Sequence, residues 1–274
     1  MPSNIIHVRG LTTGYGNRAI HENISFDVRR GEIFVIVGGS GCGKSTLLRH
    51  LVGLQDPLAG EILIDGVDLA RTSGSARTAT LRKMGLLFQS GALFGSMTLA
   101  ENIELVLEEY TSFTADERDM MARLKLSLVG LSGYENYLPS QISGGMKKRA
   151  GLARALALDP EILFFDEPSA GLDPVTSAEL DKLILQLNAS LGATMVIVTH
   201  ELASIFAVAQ RVIMLSKTEK SIIAEGTPNE LKRSTSKPEV FAFFNRITKS
   251  SSHQVPEAVP ATAAESSSHQ VIKS

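Results

Sequence analysis

Apolar and polar residues alternate over Asn4–Gly10 and again over Ile20–Val28, which predicts two half-buried strands. Gly14, Gly16 and the pair Arg30-Gly31 punctuate them. Ile33–Val37 breaks the alternation with five consecutive apolar residues, the pattern of a strand covered on both faces. A glycine cluster follows, and Ser45–Leu54 then carries leucines at helical spacing. In Glu61–Leu69 the dipeptide Asp65-Gly66 marks a hairpin turn, and Met84–Phe88 predicts another short strand. The period changes in the middle of the chain. Thr98 with Glu101, and Thr114 with Glu117, are capping boxes that open two helices, the second ending near Gly130. Residues 91–140 are therefore assigned to a helical subdomain inserted into the sheet. Alternation of helix and strand then returns: helix Gly145–Leu158, strand Ile162–Phe165, helix Val175–Ser190, strand Thr194–Thr199, helix Glu201–Ala209 and strand Val212–Leu215. This order predicts an α/β fold, a mostly parallel sheet covered by helices.

Near the end, Val240, Phe244 and Ile247 fall on one helical stripe, broadened by Phe241 and Phe243. Pro238 suits a first helical turn and Ser236 is a candidate cap, within an amphipathic helix assigned to 232–249. That helix is expected either to fold back on its own domain or to cross to a second copy. Residues 250–274 are poor in apolar side chains and repeat the string SSSHQV at Ser250–Val255 and Ser266–Val271. Such a segment cannot offset its ordering entropy, so it is expected to be disordered, with His253 and His269 solvated rather than metal-bound.

Composition narrows the function. The 274 residues carry 27 Lys+Arg against 29 Asp+Glu, a formal charge of −2, which excludes recruitment to nucleic acid or anionic lipid by bulk charge. One cysteine, Cys42, excludes a disulfide framework within the chain and a Cys-rich zinc site. Apolar runs such as Ile33–Val37 fall far short of the roughly 18 residues of a membrane span. The opening residues lack a signal-peptide core, so a cytoplasmic location is expected.

The chemistry sits in Gly38-Gly39-Ser40-Gly41-Cys42-Gly43-Lys44-Ser45-Thr46, which fits G-x-x-x-x-G-K-[ST] between a buried strand and a helix. Glycines let backbone N–H groups turn toward phosphate oxygens, and the helix points its positive end at the same place. Lys44 is placed to reach the β- and γ-phosphates, and the Ser45 hydroxyl to ligate Mg²⁺. The strand Ile162–Phe165 ends in Asp166-Glu167, at the carboxyl edge where α/β sheets bind ligands. Asp166 is the second candidate for Mg²⁺, and Glu167 is placed to polarise an attacking water.

Ile142-Ser143-Gly144-Gly145-Met146, just before that strand, resembles the signature sequence of ABC-type ATPases. Tyr15 resembles the aromatic that stacks on adenine in that family, Gln89 the Q-loop glutamine, Ser169–Asp173 the D-loop and His200 the switch histidine. The motifs stand in the family's order over about residues 5–230. The resemblance implies a P-loop ATPase core over 1–231 with an antiparallel β subdomain at its N-terminal end, using ATP and Mg²⁺. It implies Glu167, His200 and Gln89 as catalytic residues, with Gln89 also near the metal. It further implies that Ser143, Gly144, Gly145 and Asp173 act in trans, on the nucleotide of a second copy in a head-to-tail homodimer. Met146 and Ile142 depart from the commoner Gln and Leu without removing the groups that contact phosphate.

Ser-Gly-Gly-Met followed by Lys147-Lys148-Arg149, the string Leu87–Phe94 and the ending Pro238–Phe244 resemble the Mce-associated branch, the Mla-type lipid transporters of bacterial envelopes. That resemblance implies an ATPase subunit that docks on integral membrane permeases, peripheral on the cytoplasmic face, in a system containing an Mce-domain protein. The alternatives are an ABC transporter of another substrate, or a soluble ABC-type ATPase acting on DNA or ribosomes. The latter is opposed by the absence of a coiled-coil insertion between Ser45 and Ile142 and of a basic excess, so no nucleic-acid partner is expected. Taken chemically, Lys147–Arg149 is expected to be a solvated helix face, and Cys42 a small residue at a tolerant position rather than a redox group.

Overall fold

The computed structural model describes residues 3–246. The chain opens with β1 (Asn4–Tyr15), β2 (Arg18–Arg29) and β3 (Ile33–Gly38), followed by α1 (Lys44–Leu51), β4 (Ala59–Ile64) and β5 (Val67–Asp68). Next come α2 (Gly74–Leu81), β6 (Met84–Leu87), α3 (Leu99–Tyr110), α4 (Ala115–Leu128), a 3-10 turn at Pro139–Gln141 and α5 (Gly144–Ala155). The last part contains β7 (Ile162–Asp166), α6 (Pro174–Leu191), β8 (Thr194–Val198), α7 (Leu202–Val208), β9 (Arg211–Ser216), β10 (Ser221–Gly226), α8 (Pro228–Arg233) and α9 (Pro238–Phe244).

Two sheets result. One is antiparallel, in the order β2-β1-β4-β5; the other runs β10-β9-β3-β8-β7-β6, parallel except for its antiparallel edge strand β10. The larger sheet is a wall between two cores. Ile33, Val35, Val37, Leu163, Phe165, Met195 and Ile197 face one way, onto α3 to α9. Phe34, Ile36, Ile162, Phe164, Val196 and Val198 face the other, onto α1 and the antiparallel sheet. A register slip of one residue would exchange the two sets, so two-sided burial fixes the pairing Ile33↔Met195. Arg211 joins the layers at one end. Its Nε and Nη2 meet Glu32 at 2.7 and 2.8 Å, and its guanidinium lies 4.7 Å over the Phe34 ring.

Local signals hold where they were strongest. Both Thr98 and Thr114 complete their capping boxes, and Asp65 (φ 48°) with Gly66 (φ 80°) makes the tight β4–β5 turn. The C-terminal region needs correction. The single helix expected over 232–249 is two short helices, α8 and α9, separated by Ser234–Lys237. Ser236 does not cap: its hydroxyl pairs with that of Ser234 at 2.9 Å, and Lys237 precedes α9 with no side-chain cap bond. Val240 and Phe244 are buried in the core of their own domain, with Phe206 edge-on to Phe244 at 6.3 Å. Ile247, the tail 250–274 and the histidines His253 and His269 lie outside the described residues. Among the described residues, no helix is long and apolar enough to cross a membrane.

Candidate active site

The buried strand β3 delivers the chain into the glycine loop, and α1 starts immediately after it. Gly43 is the N-cap, without a side-chain cap bond, so the first N–H groups of α1 stay available to a ligand. Gly39, Ser40 and Gly41 are exposed on the rim. Lys44 is buried; its Nζ donates to the Gly38 carbonyl at 3.1 Å and stands 3.8 Å from Glu167. The Ser45 hydroxyl donates to Asp166 Oδ1 at 2.9 Å, although 121 positions separate the two residues. Tyr15 reaches the same helix. Its hydroxyl accepts from Arg49 at 2.9 Å and lies 3.4 Å from Thr46 Oγ1, contacts that hold the phenol below its ordinary pKa, Thr46 most of all. Tyr15 as a residue is 48% exposed, which leaves its ring open to stacking.

The second half of the loop and the start of α1 line a cleft of about 970 Å³. Tyr15, Gly41, Cys42, Gly43, Lys44, Ser45, Thr46 and Glu167 share it with three cations absent from any motif: Arg18, Lys217 and Lys220. Lys217 and Lys220 come from the β9–β10 turn, and Lys220 pairs with Glu22 at 2.6 Å. No sequence pattern points to them, because their place at the cleft depends on β9 pairing with β3.

Glu167 follows β7 with φ 49°, a left-handed backbone that costs energy in a residue with a Cβ and is common at functional positions. Its carboxylate is buried and accepts from His200 Nδ1, with both oxygens at 2.9 Å, while the His200 ring is largely exposed. The structure thus brings Lys44, Ser45, Asp166, Glu167 and His200 into one chain of contacts. Gln89 is exposed, and the atom held in place is its backbone carbonyl, which accepts from Lys148 Nζ.

Lys148 corrects the expectation of a solvated face. It is 6% exposed, and its Nζ also approaches the Glu167 carbonyl at 3.4 Å. Burial pulls its pKa below the ordinary lysine value, while the Asp166 and Glu167 charges oppose that shift. Arg149, by contrast, pairs with Glu179 at 2.8 Å. The Cys42 thiol is buried and belongs to the core under the antiparallel sheet, and burial pushes its pKa up.

The signature residues open α5. Ser143 caps α5, accepting from the Met146 N–H at 3.2 Å, and Gly144 opens that helix. A Cβ on Gly145 would lie 2.4 Å from Thr176 Cγ2, so glycine there permits the approach of α5 to α6. Asp173 caps α6 through the Val175 and Thr176 N–H groups, and the Thr176 hydroxyl above all lowers its pKa. None of Ser143, Gly144, Gly145 or Asp173 lines the cleft of its own chain.

Comparison with known proteins agrees with this geometry. The family model described as "ABC transporter" matches residues 21–170. The chain is 44% identical over 246 residues to a protein of Mycobacterium leprae named "Probable ribonucleotide transport ATP-binding protein mkl", covering 89% of this chain and 70% of that one. It is 41% identical over 245 residues to the "Intermembrane phospholipid transport system ATP-binding protein MlaF" of Escherichia coli K12, covering 89% and 90%. Among solved structures, a dimeric ATP-binding cassette in a post-hydrolysis state with ADP and Pi superimposes with a TM-score of 0.73 at 30% identity, over 81% of this chain and 98% of that one. With the loop, the strand-end carboxylates and the signature helix in place, the chain belongs to the ABC transporter family as its ATP-binding, ATP-hydrolysing subunit.

Proposed function

We propose that this chain hydrolyses ATP at the cleft under Tyr15 and thereby drives phospholipid transport in a bacterial envelope system of the Mce-associated type. The observation that carries the catalytic part is the convergence of Lys44, Ser45, Asp166, Glu167 and His200 at the carboxyl edge of the parallel sheet. Tyr15 offers its exposed ring to adenine, and the backbone of Gly38–Thr46 cradles the phosphates. The Ser45 hydroxyl and the Asp166 carboxylate, already in contact, are an oxygen pair suited to Mg²⁺, with Gln89 as a further candidate. Mg²⁺ supplies charge neutralisation of the phosphates when bound. Glu167 orients and deprotonates the attacking water, a contribution of about 10²–10⁴ in rate, and His200 holds its carboxylate in place. Ser143, Gly144, Gly145 and Asp173, at the starts of α5 and α6, complete the site of a second copy. In this arrangement the subunits form a head-to-tail homodimer seated on membrane permeases at the cytoplasmic face, with an Mce-domain protein in the assembled transporter.

The test of chemistry is Glu167→Gln against Lys44→Ala. The first is expected to bind ATP normally and turn over at least about 10²-fold more slowly, the second to lose binding; normal hydrolysis by Glu167→Gln removes that carboxylate from the mechanism. The phospholipid assignment rests on similarity to the E. coli protein, and the name of the M. leprae relative supplies the competing cargo, ribonucleotides. ATP-dependent transfer of a fluorescent phospholipid between vesicles, by the chain assembled with its permease, is the expected result. Ribonucleotide uptake without lipid transfer overturns it.

A further inference from the structure

Beneath the phosphate loop lies a buried histidine that no motif includes. His21 and Thr13 are direct cross-strand partners in the β1–β2 ladder, and both are fully buried. Thr13 Oγ1 is 2.7 Å from His21 Nδ1, and His21 Nε2 is 2.8 Å from the Cys42 carbonyl oxygen. The chemistry of the partners fixes the tautomer. A carbonyl can only accept, so Nε2 carries the hydrogen; Nδ1 then offers its lone pair to the Thr13 hydroxyl. Burial lowers the pKa of this imidazole, with the His50 ring adding to the effect and the Cys42 contact opposing it.

The consequence reaches the ligand side through the geometry of one peptide. A trans peptide is planar, and its C=O and N–H point in opposite directions. Anchoring the Cys42 carbonyl to β2 therefore turns the Gly43 N–H away from the antiparallel sheet, toward the cleft that Gly41–Thr46 line. The fit is tight. Gly43 has φ 95°, and a Cβ on it would lie 2.5 Å from Ile20 Cγ2 and 2.6 Å from His21 Cε1.

We propose that His21 is a positioning residue for ATP: through the Cys42 carbonyl it holds the Cys42–Gly43 peptide in the orientation that presents the Gly43 N–H to the phosphates. The inference rests on the assignment of this cleft as the ATP site and adds to it a polar anchor in the antiparallel sheet, outside the phosphate loop. The anchor couples the strand that carries Tyr15 to the loop that carries Lys44, so the adenine and phosphate ends of the cleft are set by one hydrogen-bonded unit.

The test compares His21→Leu, His21→Asn and His21→Gln in the full-length chain, with MgADP binding by calorimetry and steady-state KM and kcat for ATP. Glutamine places an N–H near the Nε2 position, whereas asparagine is too short and leucine only fills the volume. Leucine and asparagine are expected to weaken MgADP and raise KM by about tenfold, the upper range for one hydrogen bond. The kcat at saturating ATP is expected to stay within about twofold, and glutamine to restore KM to within about twofold. Folded His21→Leu with wild-type affinity, or glutamine no better than asparagine, overturns the proposal. Lys44→Ala separates the two levels: wild-type protein that binds MgADP no better than Lys44→Ala overturns the cleft assignment and the inference together. Should His21→Leu fail to fold, long-range proton–nitrogen NMR of the wild-type ring decides. A hydrogen on Nε2, with a smaller weakening of MgADP in Thr13→Val, supports the anchor, and a hydrogen on Nδ1 overturns it.

Discussion

Phe244→Ala probes how the chain uses its last described helix. Phe244 is 2% exposed, packs edge-on to Phe243 at 5.2 Å and to Phe206 at 6.3 Å, and shares the core with Val240. Truncating a buried phenylalanine costs about 3–5 kcal/mol in transfer and cavity terms. Phe206 is 37% exposed, so the site can partly collapse or admit water, which favours the lower end, about 3 kcal/mol. For a domain of this size each kcal/mol moves Tm by about 2–4 °C, so a cooperative response is a fall of about 6–12 °C. The helix has seven residues and cannot persist in water without its anchor. Amide exchange over 238–244 is therefore expected to rise sharply in the variant while the strands of the parallel sheet stay protected. Scanning calorimetry and hydrogen exchange read the two effects, and sedimentation is expected to show an unchanged state of assembly. A Tm within about 2 °C of wild type, with α9 still protected, refutes the placement of Phe244 in this core. So does a folded, monomeric fragment lacking 238–274 where the full chain is a dimer, because the helix would then belong to the opposite copy.

Ser143→Arg removes one cap bond, a loss of about 1 kcal/mol, yet it is expected to abolish ATP-dependent dimerisation and hydrolysis while MgADP binding by the monomer stays normal; normal hydrolysis sinks the shared-site arrangement. The Cys42 thiol is expected to react with maleimide slowly and at the same rate with and without MgATP, since Cys42 belongs to the buried core although the residue also borders the cleft; strong protection by nucleotide would place the thiol itself on the cleft side. Burial lowers the pKa of both His21 and His50 from the ordinary 6.5. The unfolded chain therefore binds more protons than the folded one below that value, and stability is expected to fall as pH drops from about 7 to about 5. His21→Leu should flatten that fall in urea titrations, and an equally steep fall in the variant contradicts the assignment.

What the sequence made legible was local. The glycine loop, the capping boxes at Thr98 and Thr114, the Asp65-Gly66 turn and the carboxylates ending Ile162–Asp166 each depend on neighbours within a few positions. Even the Ser45–Asp166 contact could be anticipated, because two separate local patterns each place one partner at the sheet's carboxyl edge. Lys148 could not. A run of three cations on a helix is ordinarily solvated, and its burial appears only when α5 packs on β6 and the Gln89 loop folds over it. His21 was hidden for a related reason: alternation through Ile24, Phe26 and Val28 puts it on the polar side of the strand, and the irregularity at Asn23 (φ 52°), the pairing with Thr13 and the approach of Cys42 bury the ring and give it partners. The break at Ser234–Lys237 is not marked by the periodicity of Val240 and Phe244, because the polar residues before Pro238 carry no apolar stripe that shows where the helix stops.

The seat of Lys148 also makes this chain its own recorder of motion. Its ammonium is buried on α5 and donates to the carbonyl of Gln89, in the loop that follows β6. Any excursion that lifts the loop leaves a primary amine open to acylation, and the resulting amide, bulkier and uncharged, cannot return to a seat shaped for an ammonium. Acylation at this one position would then act as a trap that closes once per chain: its rate, read by mass spectrometry with and without ATP, follows the fraction of time the loop stands open where reclosing outpaces the reagent, and the opening rate where it does not.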